Sequence, residues 1–319
     1  MTALLFRRDE VDEVEDWPER LPRLGRTSFL WIDLERPDEE ELESLVEQLE
    51  LTAESAELLA GNGVSPHLGD YGRYLHVTAF APTDPESTEL TRVTCLVSEN
   101  WVVTVHAERV DVLDTFRGRT EGSGDTGQVD GPEFLATLLE WVVQSYLEAF
   151  EAIERSLEEI DAQAMGGEVT ERGEALRSLV ELRRRIGRLR RALVSHREPI
   201  LALSRPELEA VAGSRAAKRF AALGDRLEAA VQAARDSRES VVGSFDLLIA
   251  STGQRTNEIM KVLTLASVLL LPGTLIAGVM GMNFRLGLFR DVEYFWATLG
   301  AVVVVAALTL TIARVRDWV

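Results

Sequence analysis

The hydrophobic pattern changes character along the chain. Its first third contains four short runs rich in β-branched and aromatic residues, SFLWIDL, YLHVTAFAP, LTRVTCLVS and WVVTVHA. Such runs, bounded by turn-forming residues, predict β-strands. Between the first two runs, Leu42, Val46, Leu49 and Leu51 recur near helical spacing, and Gly61 predicts the end of that helical region. We therefore predict an α/β domain with helices on at least one face of its sheet.

Beyond this domain the pattern becomes that of long helices. Residues 118–132 are rich in turn-forming residues and predict a linker or flexible loop. Residues 133–165 carry apolar side chains at a period of about 3.5 to 3.6 residues, and a second helix contains LVELRRRIGRLRRALV. A third helical pattern begins near Pro206, allows a break near residues 212–215, and continues into the next apolar segment.

Two apolar segments near the end of the chain predict membrane spans. Residues 262–284 contain no ionisable side chain and would form a helix of about 34 Å, enough to cross a hydrocarbon core of about 30 Å. Residues 294–313 form the second segment. Because the connection is short, the spans predict a hairpin with both chain ends on one side. Basic residues outside the hairpin (Arg255, Lys261, Arg314 and Arg316) favour the cytoplasm for both termini.

The predicted organisation is as follows: a cytosolic α/β domain at 1–117, a linker at 118–132, a cytosolic helical hairpin at 133–205, a stalk helix at 206–261, a first transmembrane helix at 262–284, an extracytoplasmic loop at 285–293, a second transmembrane helix at 294–313 and a cytosolic basic tail at 314–319.

The charge and the absence of several motifs exclude some classes of function. The net charge is −19, and the first 130 residues hold 29 of the 53 acidic residues against 11 of the 34 basic ones. This acidity disfavours nucleic-acid binding and attracts cations. Cys95 is the only cysteine, which excludes an intramolecular disulfide, and we expect it in a strand core. The sequence contains no glycine-rich phosphate loop, Gly-x-Ser-x-Gly elbow or His-Glu-x-x-His motif. We therefore expect that the protein is not an enzyme.

The segment TNEIMKVLTLASVLLLPGTLIAGVMGMNF, residues 256–284, resembles the CorA family of divalent-cation channels. The resemblance rests on the Asn-Glu-x-Met-Lys-x-Leu-Thr entry, the central Pro272, the TLIAG run and the closing Gly-Met-Asn. WIDLERPDEEELESL and WVVTVH also resemble the family's cytosolic domain. The resemblance implies a funnel-shaped homopentamer in the cell (inner) membrane, in which the first span continues the stalk helix and lines a pore for Mg²⁺. It implies no cofactor apart from transported and regulatory Mg²⁺.

The spacing of residues along the first span independently predicts a pore face. One set recurs at intervals of three and four: Asn257, Met260, Leu263, Ser267, Leu271, Thr274 and Gly278. Apolar rings can close a pore by dewetting, and the hydroxyl and carbonyl oxygens can contact ions. The same stripe could instead be a helix-packing surface containing small residues.

Gly281, Met282 and Asn283 are the predicted selectivity filter. Mg²⁺ prefers oxygen ligands and loses water reluctantly, so a ring of Asn283 amides would bind the ion through its hydrating water. An ordinary helix C-cap is the alternative role for Asn283. For closure by cytosolic Mg²⁺, we expect carboxylates at subunit interfaces. The family's stalk carboxylate aligns with Ala222, and Asp225 and Glu228 are nearby, unmatched candidates.

Arg285 and Arg290 in the loop differ from the acidic residues often found there in the family. The identity of the transported ion therefore stays undecided. The first alternative is a Zn²⁺, Co²⁺ or Ni²⁺ transporter of the same superfamily, with or without proton coupling. Against a dedicated zinc site, the four histidines have no ligand-like spacing. The second alternative is a non-conducting, membrane-anchored regulatory scaffold.

Overall fold

The computed structural model describes residues 2–7, 10–20, 24, 28–62, 65–87, 89–110, 113–114, 130–166, 169–205, 208, 216–281 and 292–315. The chain divides into two compact units, Met1–Phe245 and Asp246–Val319.

The first unit contains a mixed β-sheet. Its strands are β1 Thr2–Arg7, β2 Glu10–Glu13, β3 Phe29–Glu35, β4 His67–Asp70, β5 Leu75–Pro82, β6 Leu90–Val97 and β7 Trp101–His106. They lie in the order β2-β1-β3-β7-β6-β5-β4, in which β3 and β7 pair in parallel and the other neighbours are antiparallel. The four strands predicted from the apolar runs are confirmed as β3, β5, β6 and β7. Strands β1, β2 and β4 were not predicted: β2 is charged, β4 is short, and the apolar run of β1 lies directly before the charged stretch that follows it.

Helices cover both faces of the sheet. The helices are α1 Trp17–Arg20, α2 Glu39–Gln48, α3 Ala53–Glu57, α4 Gly131–Gly166, α5 Val169–Ser195, α6 Arg197–Leu203, α7 Ala216–Gly281 and α8 Val292–Val315. On one face, Leu30 and Ile32 of β3 share a buried cluster with Leu45 of α2 and with Leu49, which directly follows that helix. On the other, the Trp31 ring lies 5.2 Å from the ring of Phe134 on α4. This two-sided burial explains why all residues of β3 except the last are buried.

The helical region between β3 and β4 is broken into pieces. Glu50 has a φ of 51° and follows the end of α2, and Thr52 caps α3 by accepting from the Ser55 N–H. A π-helical segment, Leu58–Asn62, then ends in the left-handed region at Gly61, with a φ of 105°. The predicted stop at Gly61 is confirmed, but the chain reaches it through two short helices.

The helices after the sheet pack lengthwise. Helix α4 begins at Gly131, two residues before the predicted start, and packs on β5 and on α5. A short third helix, α6, follows within the segment predicted as a two-helix hairpin. Helix α7 runs without a break for 66 residues into the apolar segment, so the predicted continuity of the stalk helix and first span is confirmed. The predicted start near Pro206 and the break at 212–215 lie outside the described residues.

The part of α7 that lies in the first unit follows a seven-residue repeat. Its buried positions alternate in spacing between three and four: Phe220, Leu223, Leu227, Ala230, Ala234, Ser237, Val241 and Ser244. Such spacing is typical of helices that pack side by side along their length. Two contacts with α4 join residues that are the same distance apart in sequence. Ser237 donates to Glu154 at 3.2 Å, and Ser244 donates to Asp161 at 2.9 Å.

Candidate ion pathway

The second unit is dominated by two apolar helices. The end of α7 and the whole of α8 are each long and apolar enough to cross a membrane. Most of their large side chains are exposed, including Leu270 at 67% and Val304 at 63%. Apolar side chains exposed in this number are typical of surfaces that face lipid or other protein chains.

One side of α7 packs against α8. Its partly buried residues in the span include Leu265, Leu269, Gly273 and Ile276. At Gly273 the helices approach closely, because a Cβ added there would lie 3.5 Å from Cγ1 of Val302. A small residue at a crossing point is a common device in membrane helix pairs.

The predicted pore stripe lies on the other side of α7. At 3.6 residues per turn, the stripe is centred roughly 180° from the side that packs on α8. Met260, Leu263 and Leu271 are 55%, 60% and 64% exposed, so α8 of the same chain does not cover them. The remaining members are also exposed: Asn257, Ser267, Thr274 and Gly278. The stripe is therefore a separate face from the surface that joins the two spans.

The hydroxyl groups in this stripe donate hydrogen bonds to backbone carbonyls of their own helix. Ser267 donates to the Leu263 carbonyl at 2.9 Å, and Thr274 donates to the Leu271 carbonyl at 2.9 Å. Because these bonds use the hydroxyl hydrogens, the oxygen lone pairs remain as acceptors. Acceptors of this kind suit the hydrogens of water bound to a cation.

The predicted filter falls at the end of the described part of α7. Gly281 is exposed and is the last helical residue. Met282 and Asn283 lie outside the described residues, as do Arg285 and Arg290 of the loop.

The two candidate regulatory carboxylates have different surroundings. Asp225 is exposed on α7. Glu228, one turn further along, forms an ion pair with Arg197 of α6, with Nη2–Oε1 at 2.8 Å. Within the part of the chain that the structure describes, no three His, Cys, Asp or Glu residues are grouped so that they could hold a metal ion. A regulatory ion at these carboxylates would therefore need ligands from elsewhere.

The polar contacts between α4 and α7 were not predicted from the sequence. Arg219 makes a two-point contact with Glu140, with Nη2–Oε2 at 2.9 Å and Nε–Oε1 at 3.3 Å. The Ser237 and Ser244 contacts follow further along the same pair of helices. A seven-residue spacing among the carboxylates of α4, namely Glu133, Glu140, Glu154 and Asp161, was the available signal.

Buried histidines belong to the structure of the first unit. The Phe80 N–H donates to Nε2 of His196 at 2.9 Å, and Nδ1 of His196 lies 2.7 Å from the Ala192 carbonyl. Burial lowers the pKa of His196 to about 4, and burial also lowers the pKa of His76 to about 4. Burial alone would lower the pKa of His106, but the hydrogen bond and charge of Asp33 outweigh it, so that pKa is raised. Cys95 is buried in β6, as predicted.

Residues 26–314 match the family described as CorA-like Mg²⁺ transporter protein. The chain belongs to the CorA family. Among its CorA relatives, the cobalt/magnesium transport protein CorA of Methanocaldococcus jannaschii is 21% identical over 311 residues, covering 93% of this chain and 95% of that protein. The CorA protein of the same description from Thermotoga maritima is 26% identical over 238 residues, covering 72% of this chain and 65% of that protein.

Solved structures show the same CorA fold. The complete CorA magnesium transporter of M. jannaschii superposes with a TM-score of 0.80 at 19% identity, covering 100% of this chain and 99% of that one. The ZntB cytoplasmic domain of Vibrio parahaemolyticus gives a TM-score of 0.62 at 10% identity, covering 80% of this chain and 98% of that domain. CorA membership makes the chain a divalent-cation transporter of the membrane, in a family of transporters and not of enzymes.

Proposed function

We propose that the chain is one subunit of a homopentameric channel that carries Mg²⁺ into the cell through the cell (inner) membrane, with both termini in the cytoplasm. The observation that carries this proposal is the exposed stripe on α7, on the side of the helix opposite its contact with α8. Five copies arranged around an axis would turn this face into the wall of a pore and leave α8 outside, toward lipid.

The stripe combines apolar positions that would form a gate with polar positions that would contact the ion. Rings of Met260, Leu263 and Leu271 would exclude water when the five helices are close, which closes an ion path without a plug. The hydroxyl oxygens of Ser267 and Thr274 and the carbonyl of Gly278 would accept hydrogen bonds from a hydrated ion. Asn257 would line the cytoplasmic entrance.

The filter of the proposed channel is Gly281, Met282 and Asn283. Five neutral amide oxygens of Asn283 would hold the hydration shell of Mg²⁺, whereas five carboxylates would bind the ion too tightly to release it. An inside-negative potential supplies about 2.3 kcal/mol per charge per 100 mV, or about 4.6 kcal/mol for a divalent ion. Because this energy corresponds to an accumulation of about a thousandfold, the channel needs no second energy source.

A passive channel must close when the cell is replete. We propose that cytosolic Mg²⁺ binds between carboxylates of neighbouring subunits and holds the pore shut, since removal of the ion restores repulsion between like charges. Asp225 is the better of the two candidates, because Mg²⁺ at Glu228 would compete with Arg197. Channel currents that do not change with cytosolic Mg²⁺ would exclude this form of gating.

Ion flux into liposomes tests the proposal. The native chain should admit Mg²⁺ without a pH gradient, and Asn283→Ala should alter selectivity among Mg²⁺, Zn²⁺, Co²⁺ and Ni²⁺. Thr274→Val should reduce flux because it removes a hydroxyl from the proposed pore. Thr311→Val is the matched control, since Thr311 on α8 makes the same type of bond, to the Ala307 carbonyl at 2.7 Å, away from the stripe.

The result also separates the remaining candidates. Flux of Zn²⁺ that requires a proton gradient would favour the proton-coupled zinc alternative. Absence of flux for every ion would refute the channel and favour a non-conducting scaffold. Equal effects of Thr274→Val and Thr311→Val would show that the stripe on α7 does not line the ion path.

A further inference from the structure

Helix α5 presents a row of arginines away from its own unit. Its buried side packs on α4 through residues spaced by three and four: Ala175, Leu179, Leu182, Ile186, Leu189 and Leu193. Arg184, Arg188 and Arg191 are exposed and lie roughly 180° around the helix from that side. Arg177 extends the row, and Glu181 is the carboxylate beside it. Among the described residues, none of these four arginines forms an ion pair.

Helix α2 presents a matching row of carboxylates. Glu40, Glu43 and Glu47 are exposed and point away from Leu45, which α2 buries against the sheet. Asp38 and Glu41 near the start of the helix are engaged in its capping box. The three outer glutamates form no ion pair within the described ranges, so their charges are uncompensated there.

The fold keeps these two rows apart within one chain. Helix α2 covers one face of the sheet, whereas α5 rests on α4, which covers the other face. Each row therefore retains like charges three and four residues apart, which destabilises a helix. A neighbouring chain could relieve both repulsions at once.

The spacing of the two rows is complementary for antiparallel helices. Glu40, Glu43 and Glu47 are separated by three and then four residues, and Arg184, Arg188 and Arg191 by four and then three. In the antiparallel direction Glu40 meets Arg191, Glu43 meets Arg188 and Glu47 meets Arg184. Both rows span about 10 Å at 1.5 Å per residue.

We propose that α2 of one subunit docks antiparallel against the arginine row of α5 on the next subunit. This inference rests on the proposed assembly of identical subunits and names a contact that would hold their cytosolic units together. Because the two surfaces differ, the contact is head-to-tail, and repetition of a head-to-tail contact closes into a ring when the rotation permits.

Cross-linking of the full-length chain tests the contact directly. Glu43→Cys and Arg188→Cys are placed in the same chain and treated in detergent with a short bis-maleimide. Native Cys95 is buried, and burial raises the pKa of its thiol to about 12, so it should not react. We expect a ladder of covalent oligomers that ends at the closed ring.

Controls separate this contact from assembly in general. Either cysteine alone should give no ladder, because a head-to-tail contact needs both surfaces on each chain. Glu43→Cys with Arg155→Cys, an exposed arginine on α4, should also give none. A native chain that is monomeric by light scattering would refute the assembly itself. A native oligomer that yields no ladder with Glu43→Cys and Arg188→Cys would refute only the α2–α5 contact.

Charge exchange then tests the chemistry of the contact. Adding Arg184→Glu and Arg191→Glu to the cross-linking chain should lower the ladder yield on the order of tenfold, since each exposed pair changes an equilibrium by roughly 1.4- to 5-fold. Adding Glu40→Arg and Glu47→Arg as well should restore the yield. A ladder unaffected by the first change, or lost and not restored by the second, would show that charge pairing does not define the contact.

Discussion

His196 holds the junction of α5 and α6 on strand β5. It accepts the Phe80 N–H at 2.9 Å, and Tyr146 donates to the carbonyl of the same residue at 2.9 Å. These two side chains satisfy both backbone groups of Phe80. We predict that His196→Gln preserves this arrangement, because an amide offers an acceptor for Phe80 and a donor for the Ala192 carbonyl.

The magnitude of the effect follows from protonation. A histidine in the unfolded chain has a pKa of about 6.5, whereas the pKa of His196 in the folded chain is about 4 because the ring is buried. The unfolded state therefore binds a proton first as pH falls. The stabilisation is complete above pH 6.5 and is lost as pH drops toward 4, by about 3 kcal/mol. His76 should contribute a similar loss over the same range.

Thermal unfolding in detergent, followed between pH 7.5 and 4, measures this loss. In His196→Gln the decrease in the free energy of unfolding across this range should be about 3 kcal/mol smaller than in the native chain, or roughly 6 to 12 °C in Tm. His76→Gln is the matched variant and should remove the part of the pH-dependent loss of stability that comes from His76. A native pH dependence in His196→Gln would refute the claim that His196 stays neutral in the folded chain.

Further predictions concern the core, the α4–α7 contact and the pore. Phe134→Ala should lower the free energy of unfolding by about 3–5 kcal/mol, because the ring fills the space beside Trp31, and chemical denaturation measures this. Ser244→Ala should cost about 1–3 kcal/mol, because it removes the hydroxyl that donates to Asp161, and an unchanged midpoint would contradict this. Met260→Asn should increase Mg²⁺ leak into dye-loaded liposomes, because a polar ring no longer repels water.

Local sequence patterns predicted the strands whose side chains are mostly buried. The strands β3, β5, β6 and β7 are buried and apolar, so composition alone revealed them. The apolar β1 and the charged β2 lie at one end of the sheet, where β1 pairs with both β2 and β3. No local signal contains that pairing.

The candidate site was predictable to the same degree. Helical spacing identified the stripe on α7, because a single helix determines which residues share a face. The contact of Glu228 with Arg197, and the contacts of Ser237 and Ser244 with α4, join residues distant in sequence. Helix spacing indicated which side chains share a face but could not show which partner each one meets.

The seven-residue repeat of α7 limits how this helix can move along α4. A helix packed by such a repeat recovers equivalent contacts only after sliding by seven residues, roughly 10.5 Å at 1.5 Å per residue. A shorter slide would move Arg219 away from Glu140 and place Ser237 and Ser244 out of reach of their carboxylates. Small movements of α7 on α4 should therefore be tilts or rotations, and the helix can transmit torque more readily than a longitudinal push.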